Sequence, residues 1–307
     1  MITFFTIPKP FEGKIHTIQY NAISSWVKLQ KQCEIILCGE VTGISECAKH
    51  FGIKHIDNIE TNQYGTPFLN SAFSEVLKVA TNPILCFLNS DIILLNCVVD
   101  VIKRIPFSPF LAIGKRLNVD FDQVLDLEDT AWRHNLSTLI KLKGRYANEF
   151  SIDYFFFPSN TGLVELPPFL VGRARWDNWF VYNARVNNIA VIDTTRSITA
   201  IHQNHNYNHI PNRSGHLWYG PESDHNIGLA KSEMGGVKYK ANIYDATHVM
   251  TPKGIKNANS PRNLLQRVQF SCATNPNNLL RLRLIGFLFK KARKLKRRIK
   301  IMPSAPI

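Results

Sequence analysis

Pro83-Ile84-Leu85-Cys86-Phe87-Leu88-Asn89-Ser90-Asp91-Ile92-Ile93 is the stretch that decides the fold. A proline is followed by five apolar residues with no polar alternation, so the strand they form is apolar on both faces. Such strands belong to parallel sheets that are covered on both sides. The run stops at three small polar residues. In an open α/β sheet, ligands bind in the crevice beyond the C-terminal ends of the strands. Asp91 is therefore a carboxylate at the ligand-binding edge. The same three residue types also make strand-end turns and helix caps, and the triplet alone fits either reading.

Working outward toward the N-terminus, strand and helix signals alternate. Ile2 to Ile7 is an apolar run ended by Pro8-Lys9-Pro10. Residues 16 to 31 carry Ile18, Ile23, Trp26, Val27 and Leu29 roughly on one side, which predicts a helix. Glu34 to Gly39 reads as a second buried strand, and Ile44 to Phe51 as a short helix closed by Gly52. Ile53 to Ile56 follows as a strand, and Thr66-Pro67 opens a helix to about Ala80. Buried strands separated by helices mean a mostly parallel sheet flanked by helices.

Toward the C-terminus, Leu111 to Gly114 and Ile152 to Phe157 read as strands, Trp132 to Lys143 and Trp176 to Val186 as helices, and Ile189 to Asp193 as a strand. Residues 211–278 are rich in Asn, Gly, Pro, Ser and His and read as a loop-rich extension. Residues 279–307 read as a basic amphipathic helix and its tail. The α/β unit accordingly covers 1–210.

Composition narrows the classes. A chain of 307 residues with 45% hydrophobic content buries a sizeable core and is not a disordered protein. No apolar run reaches the ~18 residues of a membrane span. Met1 to Thr6 lacks a basic leader region and reads as a first strand, not a signal peptide. The six cysteines form no CxxC pair; Cys38 and Cys86 lie inside strand-like runs, which predicts buried thiols in a reducing compartment and no zinc site. The net charge of +14 is concentrated: ten Lys and Arg lie between Arg281 and Lys300 with no acid, leaving +4 for the rest of the chain. Such a segment suits an anionic membrane surface, each nearby cation adding ~1 kcal/mol; a solvated basic tail is the other reading. No nucleic-acid-binding signature accompanies the charge, and no nucleic-acid partner is expected.

The order strand, helix, strand, glycine turn, helix, strand, closing on Asn-Ser-Asp, resembles the nucleotide-binding half of GT-A, family 2-like glycosyltransferases. Those enzymes carry a DxD motif at this point; here its first Asp is replaced by Asn89. Three further segments, Asn62 to Pro67, Gly172 to Trp179 and Ile201 to Tyr207, resemble a set of glycosyltransferase-like proteins from bacteria and plants. This match spans about residues 2 to 210. It implies a GT-A (Rossmann-like) α/β fold. It also implies a hexosyltransferase-like enzyme that moves sugar from a nucleoside-diphosphate donor to a saccharide or lipid-linked acceptor, inverting and assisted by Mn²⁺ or Mg²⁺. A non-catalytic nucleotide- or carbohydrate-binding protein of the same fold is the alternative that Asn89 raises. The expected location is cytoplasmic, peripheral on the inner face of a membrane.

Residue roles follow. Asp91 is expected on the metal with His202, and His205 three residues on is compatible with the same site. Thr6 and Pro8 would border the base, and Gly39 and Glu40 the nucleoside. Asn62, Asn89 and Ser90 join Asp91 in the donor set. Lys115 and Arg116 would meet the diphosphate, although exposed Lys and Arg are also ordinary surface charge. By resemblance, Asp177 is the base that deprotonates the acceptor; its place at a helix N-terminus predicts a low pKa, and capping its own amides is the competing role. Trp176 and Trp179 are expected to form an apolar acceptor platform, and Asp153 to bind acceptor or end a strand.

Overall fold

The computed structural model describes residues 2–29, 33–95, 98–121, 123–205, 219–236 and 239–275. In the first third, strands β1 (Ile2–Thr6), β2 (Cys33–Cys38), β3 (Lys54–Ile56) and β4 (Ile84–Leu88) alternate with helices α1 (Gly13–Val27), α2 (Ile44–Phe51) and α3 (Leu69–Val79). After β4 come β5 (Ile92–Leu95), α4 (Val98–Lys103), β6 (Phe110–Lys115), β7 (Leu117–Val119), α5 (Trp132–Lys143), β8 (Arg145–Tyr146) and β9 (Ile152–Pro158). The remainder holds α6 (Trp176–Val186), β10 (Ala190–Asp193), β11 (Thr199–Gln203), α7 (Pro221–Glu233), β12 (His248–Thr251), β13 (Gly254–Asn257) and α8 (Pro261–Thr274).

Nine strands form one sheet in the order β13-β12-β10-β6-β9-β4-β1-β2-β3. β1 to β4 pair in parallel, as do β6, β10 and β12. β9 runs antiparallel between β4 and β6, and β13 antiparallel at the edge. The fold is thus α/β with a mostly parallel sheet flanked by helices, as the unbroken apolar run before Asn89 requires. Side chains alternate across it. Phe5, Phe87, Phe155 and Phe157 join α3 and α6 on one face; Phe4, Cys86, Tyr154 and Phe156 join α1 on the other. Phe73 of α3 is fully buried, edge-on to Phe5 at 4.9 Å and stacked on Phe157 at 5.7 Å. Cys38, Cys47 and Cys86 are buried thiols, in keeping with the reading of the cysteines.

The α5 and α6 helices have the bounds their sequence predicts. α3 begins at Leu69, because Thr66-Pro67 is drawn into a bridge between Thr61 and Pro67. The described part of 211–278 is more regular than its composition suggests. It supplies α7, α8 and the two strands that extend the large sheet beyond β10. Both strands are only four residues long and mostly half-buried or exposed, so they lack the apolar signature of a central strand.

A second sheet, β5-β11-β7-β8, stands beside the crevice. β5 follows Asp91 directly, and β11 pairs with it antiparallel so that His202 lies opposite Ile92. Among the described residues no helix is long and apolar enough to cross a membrane. The basic stretch 279–300 and His209 lie outside the described residues.

Candidate functional site

The site begins where β4 ends. Asn89, Ser90 and Asp91 form the turn from β4 into β5, and the β5–β11 register brings residues over a hundred positions later onto Asp91. His202 Nε2 lies 3.6 Å and His205 Nε2 3.1 Å from Asp91 Oδ2. The three ligand atoms of Asp91, His202 and His205 all fall within 4.8 Å of one another. Donors held about 2.1 Å from one divalent cation stand roughly 3–3.4 Å apart at adjacent positions, so this spacing fits an ion with small adjustments. Asp91 Oδ1 is buried and makes no hydrogen bond to the described residues, which leaves acceptor capacity for a ligand. A carboxylate and two imidazoles suit Mn²⁺ and its transition-metal neighbours better than Mg²⁺, which prefers an all-oxygen shell.

Electrostatics support ligation. Burial pushes the Asp91 carboxyl up, but charge at His202, the His205 hydrogen bond and the Lys9 charge outweigh it; Asp91 lies well below the ordinary carboxylate range. Burial holds His202 below the ordinary imidazole value, with Asp91 opposing. Near neutral pH an ionised carboxylate thus faces a neutral imidazole, the protonation state that binds metal.

Asn89 and Asp153 are coupled. Asn89 Nδ2 donates to Asp153 Oδ1 at 2.6 Å, and Asn89 N donates to the Asp153 carbonyl at 3.0 Å. Arg116 Nη1 donates to the same Oδ1 at 2.9 Å. The Asn89 amide thus holds a buried carboxylate, where the sequence placed it in the donor set. An Asp at 89 would set two carboxylates against each other. Ser90 Oγ donates to Gln19 Oε1 at 2.8 Å, fixing the turn to α1.

Asp177 sits in the first turn of α6 at the same sheet edge. Its pKa corrects the sequence expectation: burial, with the Asp153 charge adding to it, pushes the carboxyl up to about 6, against the Asn178 amide and Lys240. The helix N-terminus does supply an amide, but desolvation is the larger effect. The residue before Trp176, Arg175, has φ 85°, a left-handed conformation that only glycine adopts without strain. It turns the chain abruptly into α6.

The tryptophans do not form a platform. Trp176 packs 5.2 Å from Phe87 and 5.0 Å from Phe155, and Trp179 packs 5.3 Å from Phe169; both are buried in the core. The apolar face of α6 closes the sheet and draws both rings into its packing. Lys115 is also directed elsewhere, its Nζ 5.1 Å above the Tyr146 ring, whereas Arg116 remains at the site through Asp153. Thr6, at the end of β1, is buried with a hydroxyl that bonds no described residue. Pro8 is buried, Gly39 turns at φ 104°, and Glu40 beyond it is exposed.

Two functional candidates were missed in the sequence. Lys9 is linked electrostatically to Asp91 and to Arg173. Arg173 donates from Nε and Nη2 to Glu222 Oε2, at 3.1 and 2.7 Å. Asn62 Nδ2 donates to Glu222 Oε1 at 2.9 Å, while its Oδ1 accepts from Tyr64 N and Thr66 N. Asn62 thus ties its loop to α7, and both ends of its amide are engaged by protein. The proline-flanked lysine was the one available signal; the Arg173–Glu222 pair spans 49 residues and left none.

A cavity of about 790 Å³ is at the opposite end of the strands, lined by Ser108, Asn160, Thr161, Trp179 and Asn183. It has no part in this chemistry.

No family model matches the chain, and no curated protein matches it. Among solved structures, residues 1–349 of S. aureus TarS in complex with UDP are 13% identical, covering 78% of this chain and 67% of that one, with a TM-score of 0.46. M. tuberculosis glucosyl-3-phosphoglycerate synthase with Mg²⁺ and uridine diphosphate is 13% identical, covering 76% and 79%, with a TM-score of 0.43. A mycobacterial protein is 14% identical, covering 76% and 75%, with a TM-score of 0.46. Likeness at this level decides neither substrate nor activity; those are read from the site.

Proposed function

We propose that this chain is a metal-assisted glycosyltransferase acting on a nucleoside-diphosphate sugar. The observation that carries the reading is the convergence of Asp91, His202 and His205 on one point at the C-terminal edge of the sheet, with Asp177 at the same edge. Asp91, His202 and His205 would hold the cation, Mn²⁺ in preference to Mg²⁺. When bound, such an ion neutralises charge that develops on a departing diphosphate. Asp177 takes the proton from the acceptor hydroxyl. The acceptor oxygen then bonds to the anomeric carbon as that carbon's bond to the phosphate oxygen breaks, inverting the centre. A carboxyl with a pKa near 6 is a stronger base than an ordinary one and is still ionised at neutral pH. Arg116 and Asn89 hold Asp153 between the two halves of the site.

The finer reading is a hexose donor and a saccharide or lipid-linked acceptor. The cationic cluster between Arg281 and Lys300 supports an anionic membrane surface as partner and peripheral association as location. The test is a donor screen with Mn²⁺ and with Mg²⁺, scored by release of free nucleoside diphosphate. Release with one donor, greater with Mn²⁺, is expected. Absence of both release and binding across uridine, guanosine and thymidine diphosphate sugars removes the transferase reading.

A further inference from the structure

We infer that the buried polar face of α1, with Gln203 of β11 docked on it, sets the register of β5 against β11 and so builds the Asp91 centre. Gln203, Gln19 and Asn21 are positioning residues and stand outside the ligand set. The ion rests on the transferase reading; the template rests on hydrogen bonds within the chain.

β5 is Ile92-Ile93-Leu94-Leu95, four aliphatic residues that are all buried. A strand that is apolar on both faces has no alternation, so sliding it by one residue exchanges one buried aliphatic for another. Burial alone therefore does not choose its pairing. Yet the pairing that sets His202 opposite Ile92 is the one that brings His202 and His205 onto Asp91. A slip of one residue turns every side chain of β11 to the other face and takes the imidazole away.

α1 supplies what burial cannot. Buried polar side chains are the informative ones, and Gln19, Asn21, Ser24 and Ser25 of this helix are all buried. Trp26 Nε1 donates to the Ile92 carbonyl at 2.9 Å. Ser25 Oγ donates to the Ala22 carbonyl at 2.7 Å, which turns its lone pairs to Leu94 N at 3.2 Å. These two bonds peg β5. Gln19 Oε1 accepts from Ser90 Oγ at 2.8 Å and pegs the turn before Asp91. Gln203 is fully buried on β11. Its Nε2 donates to the Ile18 carbonyl at 2.8 Å and reaches the Asp91 carbonyl at 3.4 Å, and its Oε1 accepts from Asn21 Nδ2 at 2.9 Å. Asn21 is fixed in turn by the Gln123 carbonyl and by Leu125 N, both at 2.8 Å. The strand that carries His202 and the turn that carries Asp91 are thus referred to the same stretch of one helix, residues 18–21. A slipped β11 would leave the Gln203 and Asn21 amides unpaired out of water, which is costly, just as one buried polar residue fixes register in a coiled coil.

The test uses the full chain and two readouts. Mn²⁺ binding is followed by loss of the free-ion paramagnetic resonance signal, and the His205 ring nitrogens are followed by magnetic resonance in the metal-free chain at one pH. Gln203→Met keeps the volume of the side chain and removes its hydrogen bonds. It is expected to weaken Mn²⁺ at least roughly tenfold, as loss of a residue that orients ligands does. Phe73→Ala, which loosens the aromatic core, is expected to leave Mn²⁺ affinity unchanged. In a double-mutant cycle Gln203→Met costs little more once His205→Ala is present, whereas a merely structural loss adds independently. The His205 signal of the metal-free chain moves in Gln203→Met as its bond to Asp91 loosens. If Gln203→Met does not fold, Gln19→Met, which releases Ser90 from α1, is read in the same way. Mn²⁺ affinity within about twofold of the parent in the folded variant, or a loss that adds to that of His205→Ala, overturns the template. A parent chain that binds no Mn²⁺, with the His205 signal still moved by Gln203→Met, removes the metal reading and keeps the template. No Mn²⁺ binding and an unmoved signal overturn both.

Discussion

Replacing Asp177 with Asn should have opposite effects on activity and stability, and both magnitudes follow from its surroundings. The carboxyl titrates at about 6, raised from 3.8 by burial first. A base at that value is about nine-tenths ionised at pH 7 and about one-tenth ionised at pH 5, so kcat/KM should fall roughly tenfold across that interval. An unperturbed carboxyl would give almost no change over the same range. Asp177→Asn removes the base and should lower kcat by roughly 10²–10⁴. The folded-state pKa is above the unfolded one, so the folded state binds the proton more tightly. The unfavourable contribution is absent below about pH 4 and fully present above about pH 6. At full burial it would be roughly 3 kcal/mol; Asp177 is only half-buried, so about 1 kcal/mol is expected. Asp177→Asn should therefore unfold in urea at a higher midpoint at pH 7.5, with the gain vanishing near pH 4. Donor turnover and Mn²⁺ occupancy are measured on the same samples, so that loss of metal at low pH is not mistaken for protonation of the base. A flat kcat/KM from pH 5 to 7 with Mn²⁺ bound, or near-normal turnover by Asp177→Asn, refutes the assignment.

Other outcomes are expected. His202→Ala and His205→Ala should each weaken Mn²⁺ binding at least tenfold by paramagnetic resonance, and Asp91→Asn should weaken it more; equal binding by His205→Ala removes it from the shell. Asn89→Asp, which restores a two-acid motif, should lower both activity and stability, the latter by about 1–3 kcal/mol in urea, because two carboxylates replace the bond to Asp153. An Asn89→Asp variant more active than the parent contradicts that geometry. Phe73→Ala should cost roughly 3–5 kcal/mol by urea denaturation, since Phe73 bridges the aromatic rings of β1, β4, β9 and α6.

The order β1 to β4, the helices between them and the polar stop at Asn89 were all determined by local sequence. Unbroken apolar runs and glycine or proline breaks are short-range signals, and the parallel pairing follows from burial on both faces. Asp91 and Asp177 could be chosen as candidates for the same reason, each standing at the end of an element whose type the pattern sets, whereas the strand that carries His202 was not read from the sequence. Only the tertiary structure decided what these groups meet. The antiparallel pairing of β5 with β11 puts His202 and His205 on Asp91, and no local pattern encodes a contact across more than a hundred residues. Desolvation set the Asp177 pKa against its helix dipole, and it depends on how α6 packs. The same packing buried Trp176 and Trp179, whose spacing reads equally as a platform or a core face. Arg173, Asn62 and Glu222 became a group because their hydrogen bonds tie separate loops to α7. Residue type sets what chemistry a side chain can do; which charges stand within a few ångströms of it, out of water, is a property of the folded chain.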